Sequence, residues 1–163
     1  MFHIKLQTKF HNHSGFTLIE VLVAVLVLSI GLLGLASLQA TSLRNNNDAS
    51  MLTRAGYIAA DMADRMRANP SQVSIYPGAT PAAGNGNCIT ATCTPVETVG
   101  NDTFEWNNLL QSLPAGQGDI TDLGGGLFTI TVRWDEARNG ATGKGCNPDD
   151  PADLRCLTIT TQP

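Results

Sequence analysis

The sequence predicts an α+β protein in which one long N-terminal helix packs against a small antiparallel β-sheet. The first observation is an apolar run of 18 residues without a charge, Val21 to Leu38, after which a helical pattern meets no proline before Pro70. The second is that all 8 prolines and 12 of the 16 glycines follow that helix, among short alternating segments typical of strands. We therefore expect a helical part over residues 1–69 and a head over residues 70–163.

The apolar run has the length of a membrane span. A helix of this length rises about 27 Å, close to the hydrocarbon thickness of about 30 Å. The alternative is a secretory signal, whose apolar region normally has about 7–15 residues before a cleavage site of small residues. The apolar run here is longer than that, and the carboxylate of Glu20 lies directly before it. The best downstream cleavage site has the bulky Leu38 three positions before the cut. We therefore expect a retained span over residues 16–38.

The residues before the span predict its orientation. Residues 1–15 contain Lys5, Lys9 and all three histidines, but no acidic side chain. Positively charged residues next to a span stay on the cytoplasmic side. We therefore expect a cytoplasmic leader and an exported head.

The helical pattern continues beyond the span. Five apolar residues recur at steps of three and four and mark one helix face: Met51, Ala55, Ile58, Met62 and Met66. Two pairs with helical spacing suit the outer faces: Asp61 with Arg65, and Asp64 with Arg67. A stop at Asn69-Pro70 completes one helix over residues 16–69, of which residues 39–69 are amphipathic and lean on the head.

The head is predicted to contain one short helix and an antiparallel sheet. Residues 71–101 are rich in Pro, Gly and Ala and predict a long loop. Asp102 and Glu105 have the spacing of a capping box for a helix from Thr103 to about Leu113. Alternation predicts strands over 127–134 and 154–161, with a short one near 118–122.

Four cysteines lie in the predicted head: Cys88, Cys93, Cys146 and Cys156. Their spacings, C-x4-C and C-x9-C, differ from the C-x2-C of zinc ribbons. Two disulfides fit a small head in an oxidising compartment. Three pairings are possible; we predict the local bonds Cys88–Cys93 and Cys146–Cys156, the second of which would close the loop over residues 135–153.

The junction between leader and span carries a family resemblance. Gly15-Phe16-Thr17-Leu18-Ile19-Glu20-Val21-Leu22 resembles the class III signal of type IV pilins and pseudopilins. The resemblance implies that a prepilin peptidase in the inner membrane cuts between Gly15 and Phe16 and methylates the new N-terminus of Phe16. The mature chain would stay in that membrane, head in the periplasm, until it enters a filament.

The resemblance also implies a role for Glu20. As the fifth mature residue, it would neutralise the N-terminal amine of a neighbouring subunit and so set the axial register of packed helices. The alternative is a carboxylate that only reaches back to the lipid headgroups.

The longer stretch that runs from this signal through residues 42–70 is similar to minor pilins of the same family. This similarity implies a minor pilin that enters type IV pili, helps to prime their assembly and supports adhesion and motility. Implied partners are the prepilin peptidase, other minor pilins, the major pilin and a tip adhesin. Two alternatives stay open: a minor pseudopilin of a type II secretion system, and a secreted soluble binding domain.

The mature chain implied by this cut would contain no histidine, because all three lie in the leader. Arrangements of Ser-His or Cys-His are then impossible, so we expect no enzyme, cofactor or metal. The head has 4 basic and 10 acidic residues, a net charge of −6, which argues against a nucleic-acid partner. The acidic residues 135–136 and 149–153 are interpreted as a solvated loop, with a weak calcium site as the alternative.

Overall fold

The computed structural model describes residues 15–79, 88 and 92–163. It confirms the α+β class, and the predictions made for the leader, including Lys5 and Lys9, fall on residues outside the described range. A short 3₁₀ helix, Pro70–Ile75, follows the first helix. The two helices and three strands are α1 (Leu18–Ala68), α2 (Pro95–Leu110), β1 (Gln117–Gly124), β2 (Leu127–Trp134) and β3 (Arg155–Thr161).

The chain divides into two compact units, one up to Arg44 and one from Asn45 to Pro163. The first unit contains the beginning of α1, and the second contains its end and every other described element. In the second unit, the predicted apolar face of α1 is buried. Small residues beside it, Ala59 and Ala63, are buried as well and allow close packing.

The sheet has the order β1-β2-β3 and is antiparallel throughout. The central strand β2 buries alternate residues, as its sequence predicts: Phe128, Ile130, Val132 and Trp134. Ile130 pairs with Ile120 on one side and with Ile159 on the other. Strand β3 begins one residue later than predicted, and β1 is longer than predicted at both ends.

Helix α2 begins eight residues before the predicted start, so that prediction was wrong. Thr94 is the N-cap, its side chain accepts from the backbone N–H of Glu97, and Pro95 occupies the first helical turn. The sequence Thr94-Pro95-Val96-Glu97 is itself a capping box, and proline suits the first helical position. The proline that suggested a loop therefore starts the helix, and the predicted loop over 71–101 is shortened at both ends.

Asp102 and Glu105, wrongly predicted to cap α2, lie inside it and bind α1. Arg65 Nε lies 2.6 Å from Asp61 Oδ2, while Arg65 Nη1 lies 3.2 Å from Asp102 Oδ1 and 2.6 Å from Glu105 Oε2. The Tyr76 hydroxyl donates to Asp102 Oδ2 at 2.6 Å. The Asp61–Arg65 pair forms as predicted, but Arg65 faces α2 rather than an outer surface.

Neutral contacts complete this junction between the two helices. Trp106 Nε1 donates to the carbonyl of Ile58 at 2.9 Å, and Asn69 Nδ2 donates to the carbonyl of Pro95 at 2.7 Å. The Trp106 ring also lies against Gly118 of β1, where any side chain would collide with it. One tryptophan thus joins α1, α2 and the sheet.

The polar groups at this junction have shifted pKa values. The hydrogen bond from Arg65 lowers the pKa of Glu105, because it stabilises the carboxylate. Burial raises the pKa of Tyr76, and its hydrogen bond to the Asp102 carboxylate acts in the same direction. Both groups are thereby held in the protonation states that the contacts with Arg65 and Asp102 require.

Replacing Arg65 by alanine is expected to destabilise the head by about 3 kcal/mol, because it leaves the carboxylates without their counter-charge. The Asp102 side chain is only 10% exposed and has little access to water. Chemical denaturation of the chain in detergent micelles, followed by tryptophan fluorescence, measures the change. Arg54→Ala is the control, since Arg54 is exposed on α1 and makes no ion pair with a described residue. Equal stability of both variants would contradict the role of Arg65.

Acidification is expected to weaken the same junction. The pKa of Glu105 is lower in the folded than in the unfolded chain, so the folded state binds fewer protons near that pKa. Its contribution is present above the unfolded pKa of about 4.3 and is lost as the pH falls through the lower folded value. The Tm should therefore fall below about pH 4.3, and fall less in Glu105→Gln. The exposed Asp119→Asn should keep the wild-type profile; an unchanged profile in Glu105→Gln would contradict the assignment.

Candidate functional site at the start of the long helix

Thr17 starts helix α1. Its carbonyl accepts from the backbone N–H groups of Glu20 and Val21 at 3.1 and 3.3 Å, and its hydroxyl accepts from the Glu20 N–H at 3.4 Å. Thr17 is therefore an N-cap, and Glu20 stands third in the helix. Sequence reasoning missed this role, although Thr-x-x-Glu before an apolar run is the signal for it.

Glu20 lies on an otherwise apolar surface. It is exposed, and it forms no ion pair with any residue that the structure describes. The positive end of the helix dipole favours a carboxylate in the first turn. A shallow open groove runs along this side of the helix, and Glu20 is the only ionisable residue among those lining it: Phe16, Glu20, Val21, Ala24, Val25 and Leu28.

No described residue covers the apolar surface of α1 in the first unit. Large apolar side chains are exposed on every side of the helix from Leu18 to Leu43. The best 18-residue window has a mean hydropathy of 2.7 and 0% burial; of the described helices, this is the one long and apolar enough to cross a membrane. Two of its hydroxyl groups are satisfied within the helix, since Ser29 donates to the Val25 carbonyl at 2.7 Å and Thr41 to the Ser37 carbonyl at 3.1 Å. Such a helix suits lipid or other apolar helices as its surroundings.

Among the described residues, nothing requires a glycine at position 15. A Cβ atom added there would meet no atom within 4 Å, and its φ lies outside the left-handed region. The adjacent Phe16 side chain is 82% exposed. If glycine is required at position 15, the requirement comes from a molecule that approaches this backbone.

The four cysteines form the two local disulfides that were predicted from the sequence. Cys88 is bonded to Cys93 with Cα atoms 5.2 Å apart, and Cys146 to Cys156 with Cα atoms 5.4 Å apart. The second bond ties the segment before β3 to β3 itself. Both lie in the second unit and hold its loops.

The acidic loop residues bind their own backbone. Asp135 accepts from the N–H groups of Gly140 at 2.8 Å and Asn139 at 3.3 Å. Asp153 accepts from the N–H groups of Gly145 at 3.2 Å and Asn147 at 3.1 Å. Within the described ranges, no three His, Cys, Asp or Glu side chains form a group that could hold a metal ion. These carboxylates shape a loop.

Comparisons with known proteins find two family models that match consecutive parts of the chain. The family model of the prokaryotic N-terminal methylation motif matches residues 10–36. The family model of type IV pilin Tt1218 matches residues 37–104, which include the second part of α1 and the first part of α2. No curated protein and no solved structure gives a significant match.

Proposed function

The chain belongs to the type IV pilin-like family, whose members are structural subunits rather than enzymes, and from this premise we propose that it is a minor pilin similar to PilV. The N-terminal methylation motif implies processing by prepilin peptidase and assembly into pili with other pilins. Its apolar helix fits a subunit anchored in the inner membrane before assembly.

The resemblance to PilV supports the assignment as a minor pilin. The stretch from Asp61 to Pro70 resembles PilV and favours the pilus, and it contains Arg65 and Asn69, both of which bind α2. It therefore belongs to the part of α1 that builds the head. A minor pseudopilin of a type II secretion system shares the N-terminal motif and is the second candidate.

The exposed Glu20 on an apolar helix is the observation that carries the proposal of a filament subunit, which both candidates share. A carboxylate left without a partner in an apolar environment costs several kcal/mol. After cleavage between Gly15 and Phe16, the Phe16 amine of a neighbouring subunit supplies the opposite charge. Because such a pair is strong only at short distance, it favours one axial offset between helices. Glu20 thereby sets register, and methylated Phe16 is its partner.

The division of labour along the chain follows. Residues 1–15 are the cytoplasmic leader, kept there by Lys5 and Lys9, and are removed. Residues 16–38 cross the membrane and later form the filament core, and residues 39–69 connect them to the head over residues 70–163, which faces the periplasm. In the filament, the subunit helps to prime assembly and supports adhesion and motility together with other minor pilins, the major pilin and a tip adhesin.

Mass spectrometry of sheared pili tests this function directly. The expected finding is a peptide of this chain that begins with N-methylated Phe16, at an abundance that is a small fraction of that of the major pilin. Deletion of the gene for this chain should reduce the number of pili. Recovery of the methylated chain only in membranes, with loss of type II secretion on deletion, would overturn the minor-pilin assignment in favour of the pseudopilin.

Gly15→Arg is expected to block processing, because the peptidase must approach the backbone at this position. The precursor would then be 15 residues longer than the mature chain on immunoblots. Gly15→Ala should be cut slowly. Gly56→Arg is the control, since a side chain at this helical glycine also meets no atom within 4 Å. A mature band of normal size from Gly15→Arg would contradict the proposed site.

Glu20→Ala is expected to be inserted and cut normally but to enter pili at least about tenfold less, since an unpaired buried amine costs several kcal/mol. The ratio of mature chain in sheared pili to mature chain in membranes measures the effect. Leu22→Ala, two residues along the same helix, should keep the wild-type ratio. Wild-type incorporation of Glu20→Ala would leave Glu20 with no role in register.

A further inference from the structure

The two edges of the head sheet differ in their protection. On β1, Asp119 and Asp122 are exposed, and the pairing with β2 shifts register between Asp122 and Gly124. Charged side chains and bulges are the usual means by which an edge strand avoids pairing with another chain. The β1 edge is therefore protected.

The β3 edge has neither feature. Its one charged residue, Arg155, lies at the start of the strand and binds Glu136 at 3.0 Å. The following six residues, Cys156–Thr161, contain no charge and no proline, and β3 pairs with β2 without a register shift. Among the described residues, none forms a strand on the outer side of β3. Alternate N–H and C=O groups of an edge strand point away from the sheet and are available to a further strand.

The apolar layer under the sheet is also incomplete at β3. On the central strand, Ile130 and Val132 are 0% exposed, whereas their β3 neighbours Ile159 and Leu157 are only partly buried. A further strand with apolar residues at the matching positions would cover them. The edge thus offers both unpaired backbone groups and apolar surface.

We propose that the outer edge of β3 is a docking surface for a second copy of this chain, paired antiparallel about Thr158. In this register, Leu157 lies opposite Ile159 of the second copy, and the two Thr158 residues lie opposite each other. The apolar residues of both copies then continue one face of the sheet, and the hydroxyl groups continue the other. A two-fold axis through the Thr158 pair makes the contact closed and self-complementary.

Charge favours a second copy at this edge. Between Cys156 and Thr160 the pairing opposes no charged side chains. At its two ends, Arg155 of one copy lies opposite Thr161 of the other, whose hydroxyl accepts from Arg67 at 2.8 Å. Each of these arginines is already paired with a carboxylate of its own copy, Arg155 with Glu136 and Arg67 with Asp64. The same kind of pairing through β1 would place four carboxylates along one pair of strands, Asp119 and Asp122 of each copy. The Thr131 and Thr158 hydroxyls already lie 3.1 Å apart within one copy, so the new pair extends an existing row. The contact requires no entry into a pilus and stands apart from the proposed function.

Cysteine substitution locates the contact in the mature full-length chain, purified in nonionic detergent micelles. Thr158→Cys should yield a covalent dimer on mild oxidation, since residues opposite each other in a sheet have Cβ atoms about 5 Å apart. Thr121→Cys is the matched control, because Thr121 is an exposed threonine on the same sheet face but on the β1 edge. Equal cross-linking of both variants, or cross-linking of Thr158→Cys to a different protein in membranes, would overturn the proposal.

Charge exchange provides the second test. Thr158→Lys and Thr158→Glu, each alone, should reduce the dimer fraction about tenfold, because like charges face each other across the pair. A mixture of the two variants should restore the dimer fraction as a mixed dimer. A dimer formed through α1 would not respond to the charges at position 158. Native mass spectrometry measures the oligomeric state of the unsubstituted chain. A monomer at all micromolar concentrations would overturn the proposal.

Discussion

Helix α1 must satisfy two different environments with one continuous backbone. Up to Leu43, large apolar side chains are exposed on every side, and no described residue covers them. From Met51 onwards, one apolar face is buried against the head. Since every backbone group of a helix is bonded within the helix, the same element can serve in lipid and on a protein core. What changes along α1 is its side chains alone.

The head depends on how α2 is held against that helix. Without the positive charge of Arg65, the carboxylates of Asp102 and Glu105 would face each other unpaired. The Tyr76 hydroxyl donates to the second oxygen of Asp102. Trp106 adds an apolar body whose N–H is bonded to the α1 backbone. Polar contacts thus fix the angle and register of α2, while the apolar core supplies most of the favourable free energy of folding.

Much of this arrangement was accessible from the sequence, because it depends on local periodicity. The α1 face from Met51 to Met66 and the alternation of β2 follow from steps of 3.6 and 2 residues. The start of α2 was predicted wrongly because Pro95 serves both loops and first helical turns. The partners of Arg65 across 37 and 40 residues could not be predicted, since no local spacing encodes which carboxylates a folded chain brings to one guanidinium. At the helix start, the roles of Gly15, Phe16 and Glu20 were predicted from the resemblance to a family motif, and the N-cap at Thr17 was overlooked.

The loop around Asp135 also bears on chemical ageing. Asn139-Gly140 is a dipeptide in which the glycine nitrogen ordinarily attacks the asparagine amide, expelling ammonia and leaving a succinimide. Here the Gly140 N–H donates to Asp135 Oδ2 at 2.8 Å, and Asn139 Nδ2 donates to the Pro151 carbonyl at 2.9 Å. Both reacting groups are therefore held in other bonds, and the attack requires the loop to open first. A carboxylate that shapes a turn is thereby expected to slow the deamidation of the asparagine in that turn.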